Sequence, residues 1–473
     1  VTSEPEAIVD PSGRGPSLAG HSVVYLVGTA LQGLGVLLVL PFATRLLGDA
    51  EFGRVATALV IIQMVGTIAA AGLPQVILRE YHRGPDGPVA GRALAGTMAL
   101  FALAVAVLGL ALGGVLAAVD AVDLRTWSLT VVGSAALTVV VAGQTLSRAR
   151  LRPLHFLVLA VVATVVAHLT GLLLAQGDRS AQTYLTGYTA ALLVAAVLAL
   201  LVGRPLRPSA ARQRSRAGVR LAAPLLPQAV AMLGLLMGDV LLVNAFVGAA
   251  GAGAYQVALQ LANMPFVLAV ALFNAWGPLV LSHPVADRWR WTARTGTPLV
   301  LVVAVGAAGV ALLGPWLVRL MAPVSFPQVE MWTSLGMMTV VAVAYMVYQG
   351  SSLAVLDAER TGRLATAAIA ALLVLVVLAW WLSAPLGIAG IALAKAVGYL
   401  VLMALTVHSA RSLSALRWSP RLWLLLGAAV GAGVAGALLP ADGVGVAVRL
   451  VATAGIAGSA LVLAPRVLRT LRG

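Results

Sequence analysis

The chain has 473 residues, 61% of them hydrophobic and 10% charged, with a mean hydropathy of +1.00. Soluble domains carry about a quarter charged residues, so this composition excludes a soluble globular protein and makes the bilayer the solvent. The formal net charge is +15 and there is no cysteine, which excludes disulfides, thiolate metal sites and a cysteine nucleophile.

Residues 1–19 are polar and contain Glu4, Glu6 and Asp10. They are expected to form a disordered cytoplasmic segment. Fourteen apolar stretches follow, at 20–45, 53–78, 93–118, 127–147, 154–176, 182–203, 222–247, 253–281, 295–321, 331–356, 364–383, 386–409, 421–439 and 446–464. Each approaches or exceeds the roughly 20 residues that cross a hydrocarbon core as a helix. None alternates with the period of a barrel strand, so the expected class is an all-α integral membrane protein. The first stretch is too long, and too far from the start, for a cleavable signal.

The arginines give the orientation. With the N-terminus inside, 24 arginines fall on the cytoplasmic side, while Arg45, Arg54, Arg125, Arg179, Arg319 and Arg449 fall outside. That asymmetry is a positive-inside signal. It predicts a multi-pass membrane protein with both termini cytoplasmic. It also assigns the net charge to topology and anionic lipid, with no nucleic-acid partner. The most basic run, 204–220, reads RPLRPSAARQRSRAGVR. It is expected to be a linker resting on headgroups, or a docking site for a cytoplasmic enzyme.

Residues 46–59, LLGDAEFGRVATAL, are echoed two hundred residues on by 246–259, FVGAAGAGAYQVAL. Gly48 and Gly53 match Gly248 and Gly253 in spacing, and Ala50, Ala58 and Leu59 match Ala250, Ala258 and Leu259. In an Ala/Gly/Leu-rich chain the match alone says little. It gains force because both copies fall between the first two spans of a six-span half. Six is even, so the halves enter the membrane in the same direction, as a parallel repeat of the kind found in secondary transporters. The expected organisation is 1–19 as the N-terminal segment, 20–203 as the first lobe, 204–220 as the linker, 221–410 as the second lobe, and 411–473 as two further spans and a cytoplasmic tail.

The segment ATRLLGDAEFGRVATALVIIQMVGTIAAAGLPQVILREY (43–81) resembles the opening of bacterial Wzx-type polysaccharide flippases, within the MATE-like multidrug/oligosaccharidyl-lipid/polysaccharide (MOP) exporter superfamily. Residues 224–281 are similar to that family's seventh and eighth spans, with a Pro–x–x–Pro entry, a buried Asp, a Gly–x–x–x–x–Gly–x–Tyr loop and a Trp–x–Pro exit. The resemblance implies export of a polyprenyl-linked glycan across the inner membrane, and a V-shaped pair of six-helix lobes with two helices appended. It implies a lipid-linked glycan substrate and membrane lipids as partners, with a polysaccharide polymerase or glycosyltransferases as further partners. No cofactor is implied beyond H+ or Na+ coupling.

Such a cargo needs cations for its diphosphate, and the arginine fork suits phosphate oxygens. Arg45, Arg54, Arg79, Arg148, Arg319 and the single lysine, Lys395, lie near or within spans. Arg45, Arg79 and Lys395 are the diphosphate candidates. Anchoring at the interface is the ordinary reading for each arginine, and Arg45 could instead pair with Asp49 or Glu51. Asp239 and Lys395 lie deep in spans, where a charge costs at least about 2.5–3.5 kcal/mol and faces a partner or a cavity. They read either as a structural pair locking spans 7 and 12, or as a coupling site and a phosphate ligand. Gln32, Gln63, Gln256, Gln260 and Asn263 are candidate sugar-lining residues, although interhelical hydrogen bonding is the default for such groups. His168 reads as a packing residue before a proton relay.

Three functions compete on these residues. A lipid-linked oligosaccharide flippase fits best. An ion-coupled drug or metabolite exporter of the same superfamily would usually have twelve spans and ionisable groups inside the first lobe, and spans 1–6 hold no mid-span carboxylate. A polyprenyl-dependent glycosyltransferase would place acids in the first outer loop, which Asp49-Ala50-Glu51 satisfies, but it needs long external loops that are missing here. No metal cluster or catalytic constellation stands out, so the chain is not expected to be an enzyme.

Overall fold

The computed structural model describes residues 18–223 and 226–472, with side chains described for 36–223 and 226–458. Residues 1–17 of the N-terminal segment and the side chains of Gln32, Arg466, Arg469 and Arg472 lie outside what is described.

Every regular element among the described residues is helical, and eleven helices are long and apolar enough to cross a membrane. Two of these are 52 residues long and broken by a glycine: α1 (Leu18–Ala69) at Gly48 and α16 (Gly362–Leu413) at Gly387. Each break turns one helix into two passes without a loop. Together with the last helix, α18 (Gly443–Arg472), the passes number about fourteen.

In the first half, α1 is followed by α2 (Leu73–Tyr81), α3 (Gly87–Ala117), α4 (Leu124–Ala149), α5 (Pro153–Val161), α6 (Ala167–Leu174) and α7 (Ala181–Gly203). A π-turn at Val162–Val166 joins α5 to α6. The basic run of the linker is largely ordered. It folds as a short 3-10 turn (Pro208–Ala211) and helix α8 (Arg212–Ala222). Ser215, Gly218 and Ala222 are buried on α8, which packs on α2 and α3 and so belongs to the first half. Arg212, Arg216 and Arg220, one turn apart, stay exposed on its other face.

The second half comprises α9 (Leu226–Leu233), α10 (Asp239–Phe246), α11 (Ala249–Ser282), α12 (Arg288–Leu312), α13 (Gly314–Met321), α14 (Gln328–Met338), α15 (Val340–Asp357) and α16. A second π-turn, Gly234–Gly238, joins α9 to α10. Spans 9 and 10 of the sequence are each split, at Leu313 and at Thr339. Finally, α17 (Pro420–Leu438) and α18 lie against α12, and α17 also against α14.

The packing between the halves runs through α1, chiefly against α11. Leu40, Val55 and Ile62 of α1 share one buried core with Val257 and Leu261 of α11 and Leu335 of α14. At the arginine-rich end the halves have separate cores. Leu73, Ile77, Leu94, Met98 and Leu146 form one in the first half, and Leu235, Val300, Val347, Leu375 and Leu402 form another in the second. Close van der Waals packing is what joins helices to one another in lipid, so one joint core at one end and two separate cores at the other describe halves sealed at the arginine-poor end.

Candidate functional site

The seal is built from the repeated segment. Gly48 and Gly248 hold nearly the same backbone conformation, φ 75° and ψ −179° against φ 98° and ψ 178°. This region is nearly exclusive to glycine. Five residues on, Gly53 and Gly253 meet. A Cβ on Gly53 would stand 1.7 Å from the carbonyl oxygen of Ala249 and 2.8 Å from the amide nitrogen of Gly253. A Cβ on Gly253 would stand 2.3 Å from the carbonyl oxygen of Asp49 and 3.0 Å from the amide nitrogen of Gly53. The contact is reciprocal, as an isologous contact must be: each copy of the echo packs on the other, backbone to backbone.

Beside it, Thr44 Oγ1 donates to the Met321 carbonyl at 2.6 Å and Arg45 donates to the Leu320 carbonyl at 3.0 Å. Arg45 also donates to the Pro41 carbonyl at 2.8 Å. It therefore caps a helix end of the opposite half instead of pairing with Asp49 or Glu51. Glu51 pairs with Arg54 and accepts from the Ala181 amide at 2.8 Å, capping α7. The outer-loop acid that suggested a glycosyltransferase thus serves as a helix cap. Two further loop carboxylates sit at helix starts: Asp123 caps α4, and Asp178 braces Ser180, the cap of α7. Hydrogen bonds from Thr126 hold the Asp123 carboxyl below the usual value of 3.8, and those from Thr183 and Ser180 do the same for Asp178.

Deep in the second half, Lys395 of α16 donates to Asp239 Oδ2 of α10 at 2.8 Å and to the Leu236 carbonyl at 2.7 Å. Tyr255 of α11 donates its hydroxyl to the same carboxylate oxygen at 2.5 Å. Asp239 is 0% and Lys395 2% exposed. The π-turn ends immediately before Asp239 and contributes the Leu236 carbonyl. Such turns disturb the regular backbone bonding and recur at functional sites. Asp239 Oδ1 is buried and has no hydrogen-bond partner. Phe266, Tyr345 and Tyr399 cluster one turn of α16 away, Phe266 and Tyr345 with ring centroids 4.4 Å apart. Among the described residues, the first half has no charged counterpart at this depth. There, His168 Nδ1 meets the Tyr184 hydroxyl at 2.8 Å, and the imidazole packs against Tyr188.

The polar candidates are distributed unevenly. Gln256, Gln260 and Asn263 share one face of α11 by their spacing. Gln256 Oε1 is buried without a partner. It lines a cavity of about 20 Å³ with Leu40, Ala43, Phe52, His168 and Tyr184, between the halves. That volume is enough for one water. Gln63 is exposed on α1. The three diphosphate candidates do not converge. Arg45 stands at the sealed end, Arg79 is exposed on the last turn of α2 at the other end, and the Lys395 ammonium is engaged by Asp239 and Leu236.

Sequence reasoning missed Tyr255 as the third member of the buried charge cluster, although it stands in the Gly–x–x–x–x–Gly–x–Tyr motif. It also missed Arg449, which is 0% exposed and donates to the carbonyls of Leu312, Gly436, Leu439 and Pro440. Nothing in the sequence separates that arginine from an ordinary interface anchor.

Among solved structures the chain is similar to the lipid II flippase MurJ in an inward closed conformation, with TM-score 0.67 and 12% identity over 94% of this chain and all of MurJ. It is also similar to an inward-facing multidrug resistance MATE transporter of the MOP superfamily, with TM-score 0.53 and 15% identity over 85% of this chain and 98% of that one. The Vibrio cholerae MATE transporter VcmN gives TM-score 0.54 and 15% identity over 86% and 98%. These identities show a shared fold. No curated protein matches the sequence. A family model described as polysaccharide biosynthesis protein matches residues 17–282, more than half of the chain and including both copies of the echo. This multi-pass membrane protein, built on the fold of MurJ and the MATE transporters, belongs to the polysaccharide biosynthesis protein family.

Proposed function

We propose that the protein flips a polyprenyl-diphosphate-linked oligosaccharide across the bacterial inner membrane for surface polysaccharide biosynthesis. The observation that carries this reading is the pairing of family membership with a seal confined to one end of the two halves. The sealed end faces outward and the arginine-rich end faces the cytoplasm. Rocking about the α1–α11 contact would expose the space between the halves to alternate sides, with the lipid tail remaining in the bilayer. Gln63, Gln256, Gln260 and Asn263 serve the sugar. Arg79 meets the diphosphate at the cytoplasmic mouth, and Arg45 becomes free to do so once the seal opens. Asp239 and Lys395 hold α10 to α16, and the unpartnered Oδ1 of Asp239 is where H+ or Na+ would couple.

That same oxygen favours a second reading, an ion-coupled drug or metabolite exporter. One experiment separates the two. The gene is deleted and complemented with wild type, Asp239→Asn, Lys395→Ala or Arg45→Ala, and lipid-linked intermediates and surface polysaccharide are measured. Polyprenyl-diphosphate glycan accumulating on the cytoplasmic face, with surface polymer lost, supports flipping. Normal surface glycan with altered sensitivity to cationic drugs would move the protein to the exporter reading.

A further inference from the structure

Four arginines line one pocket of about 740 Å³ at the basic end of the first half: Arg92 at the start of α3, Arg150 and Arg152 between α4 and α5, and Arg204 at the end of α7. His155 and Tyr81 complete its polar lining. The wall is firmly held. Arg150 donates to the carbonyls of Val202 at 2.8 Å and Gly203 at 2.6 Å, and Arg92 Nε donates to the Arg204 carbonyl at 2.7 Å. The Leu206 amide returns a bond to the Arg92 carbonyl at 3.0 Å, and Gly96 lets Leu206 lie against α3.

These bonds satisfy helix-end carbonyls but remove none of the positive charge. Among the described residues, no carboxylate lies within ion-pair distance of any of the four guanidinium groups. His155 Nδ1 is buried without a hydrogen-bond partner. Four like charges held around one pocket repel one another unless an anion joins them. The rim identifies the anion. Leu151 and Leu201 line the pocket and are largely exposed, as is neighbouring Leu154. A soluble anion has no use for exposed leucines, whereas a lipid places its acyl chains on them and its phosphate among the arginines. Basic pockets between helices on the cytoplasmic side bind anionic headgroups in this manner.

We propose that this pocket is a binding site for the phosphate headgroup of an anionic phospholipid of the cytoplasmic leaflet. It is separate from the space between the halves, and it does not depend on which cargo is flipped. Bound there, the lipid ties α3, the α4–α5 corner and the end of α7 together.

Native mass spectrometry of the delipidated full-length protein in detergent tests the site, with dioleoyl-phosphatidylglycerol, dioleoyl-phosphatidylcholine or inorganic pyrophosphate as the probe. One phosphatidylglycerol should be retained at concentrations where phosphatidylcholine is not. The variant Arg152→Ala/Arg204→Asn should weaken that retention at least about tenfold, the expected scale when charge-assisted contacts are lost. Asparagine is chosen at 204 because Arg204 has φ +47°, which asparagine tolerates. Arg152→Ala alone, at an exposed site, keeps the test valid if the double variant folds poorly. Arg360→Ala/Arg421→Ala removes two exposed charges from the arginine-rich end of the second half and should change retention less than twofold. Equal retention by wild type and the pocket variants would overturn the proposal, as would equal loss in the Arg360/Arg421 control. Pyrophosphate binding as tightly as phosphatidylglycerol would overturn the lipid assignment.

Discussion

Replacing Gly53 by alanine should break the seal between the halves. The new Cβ would lie 1.7 Å from the Ala249 carbonyl oxygen, and real Cβ atoms essentially never approach within 3.0 Å. The helices must therefore separate by at least about 1.3 Å at this point, because both neighbours are backbone and no side chain can turn aside. A radial gap of 0.5–1 Å already forfeits about a quarter to a half of a dispersion contact, and forced overpacking costs about 1–3 kcal/mol. Borne by the sealed state alone, that cost shifts the equilibrium toward the open state by about 5- to 150-fold. Because the chain has no cysteine, one introduced at Ala56 is a unique reporter. Ala56 is buried and lines the small cavity between the halves. A membrane-impermeant maleimide applied to intact cells should label it slowly in the parent and at least about fivefold faster with Gly53→Ala. Gly114→Ala serves as the control, since its Cβ would meet nothing within 4 Å. Labelling within twofold of the parent, with flipping intact, would show that the glycine contact does not hold the halves shut.

Other perturbations separate the remaining devices. Lys395→Met leaves Asp239 as a buried unpaired charge and should cost about 3–5 kcal/mol. Adding Asp239→Asn should recover most of that loss in thermal melts in detergent, and a double variant no better than the single one would refute the pairing energetics. Arg449→Ala removes a donor from four carbonyls. It should cost at least about 1.5–3 kcal/mol, and limited proteolysis should then release the segment containing α17 and α18 before the rest of the chain is cut. Asp123 and Asp178 have carboxyls held below 3.8 by hydrogen bonds in the folded state. Their contribution is therefore present above the unfolded value and lost as pH falls through the lower folded value. Melting temperatures should stay flat from pH 7 to about 5 and drop below about pH 4, and Asp123→Asn/Asp178→Asn should flatten that drop.

Composition and span length made the fold class legible, because a helix must satisfy its own backbone in lipid whatever its neighbours are. The echo was legible as a repeat, but its contact was not. Sequence spacing places Gly53 and Gly253 at the same depth in two halves, and only the packing of α1 on α11 brings them face to face. The turn at Gly48 was legible from Arg45, Asp49, Glu51 and Arg54 around it, and the turn at Gly387 lies within two residues of the expected break at 384–385, but no pattern shows that a single glycine stands in place of each loop. Asp239 and Lys395 announced themselves by depth, whereas their partner Tyr255 is an unremarkable aromatic in an apolar span. Arg92, Arg150, Arg152 and Arg204 looked like ordinary members of the positive-inside set. Their convergence depends on how three loops fold onto the end of α7, and no local pattern encodes that.

The closed pair at the heart of the second half has an electrical consequence. Moving one elementary charge through 100 mV is worth about 2.3 kcal/mol, so a lone buried aspartate or lysine would couple any rocking of that half to the membrane potential. Asp239 and Lys395 share a hydrogen bond of 2.8 Å and travel together with no net charge. Their displacement is electrically silent. Any voltage dependence of transport would then be carried by the charge of the cargo and of a coupling ion, not by these residues.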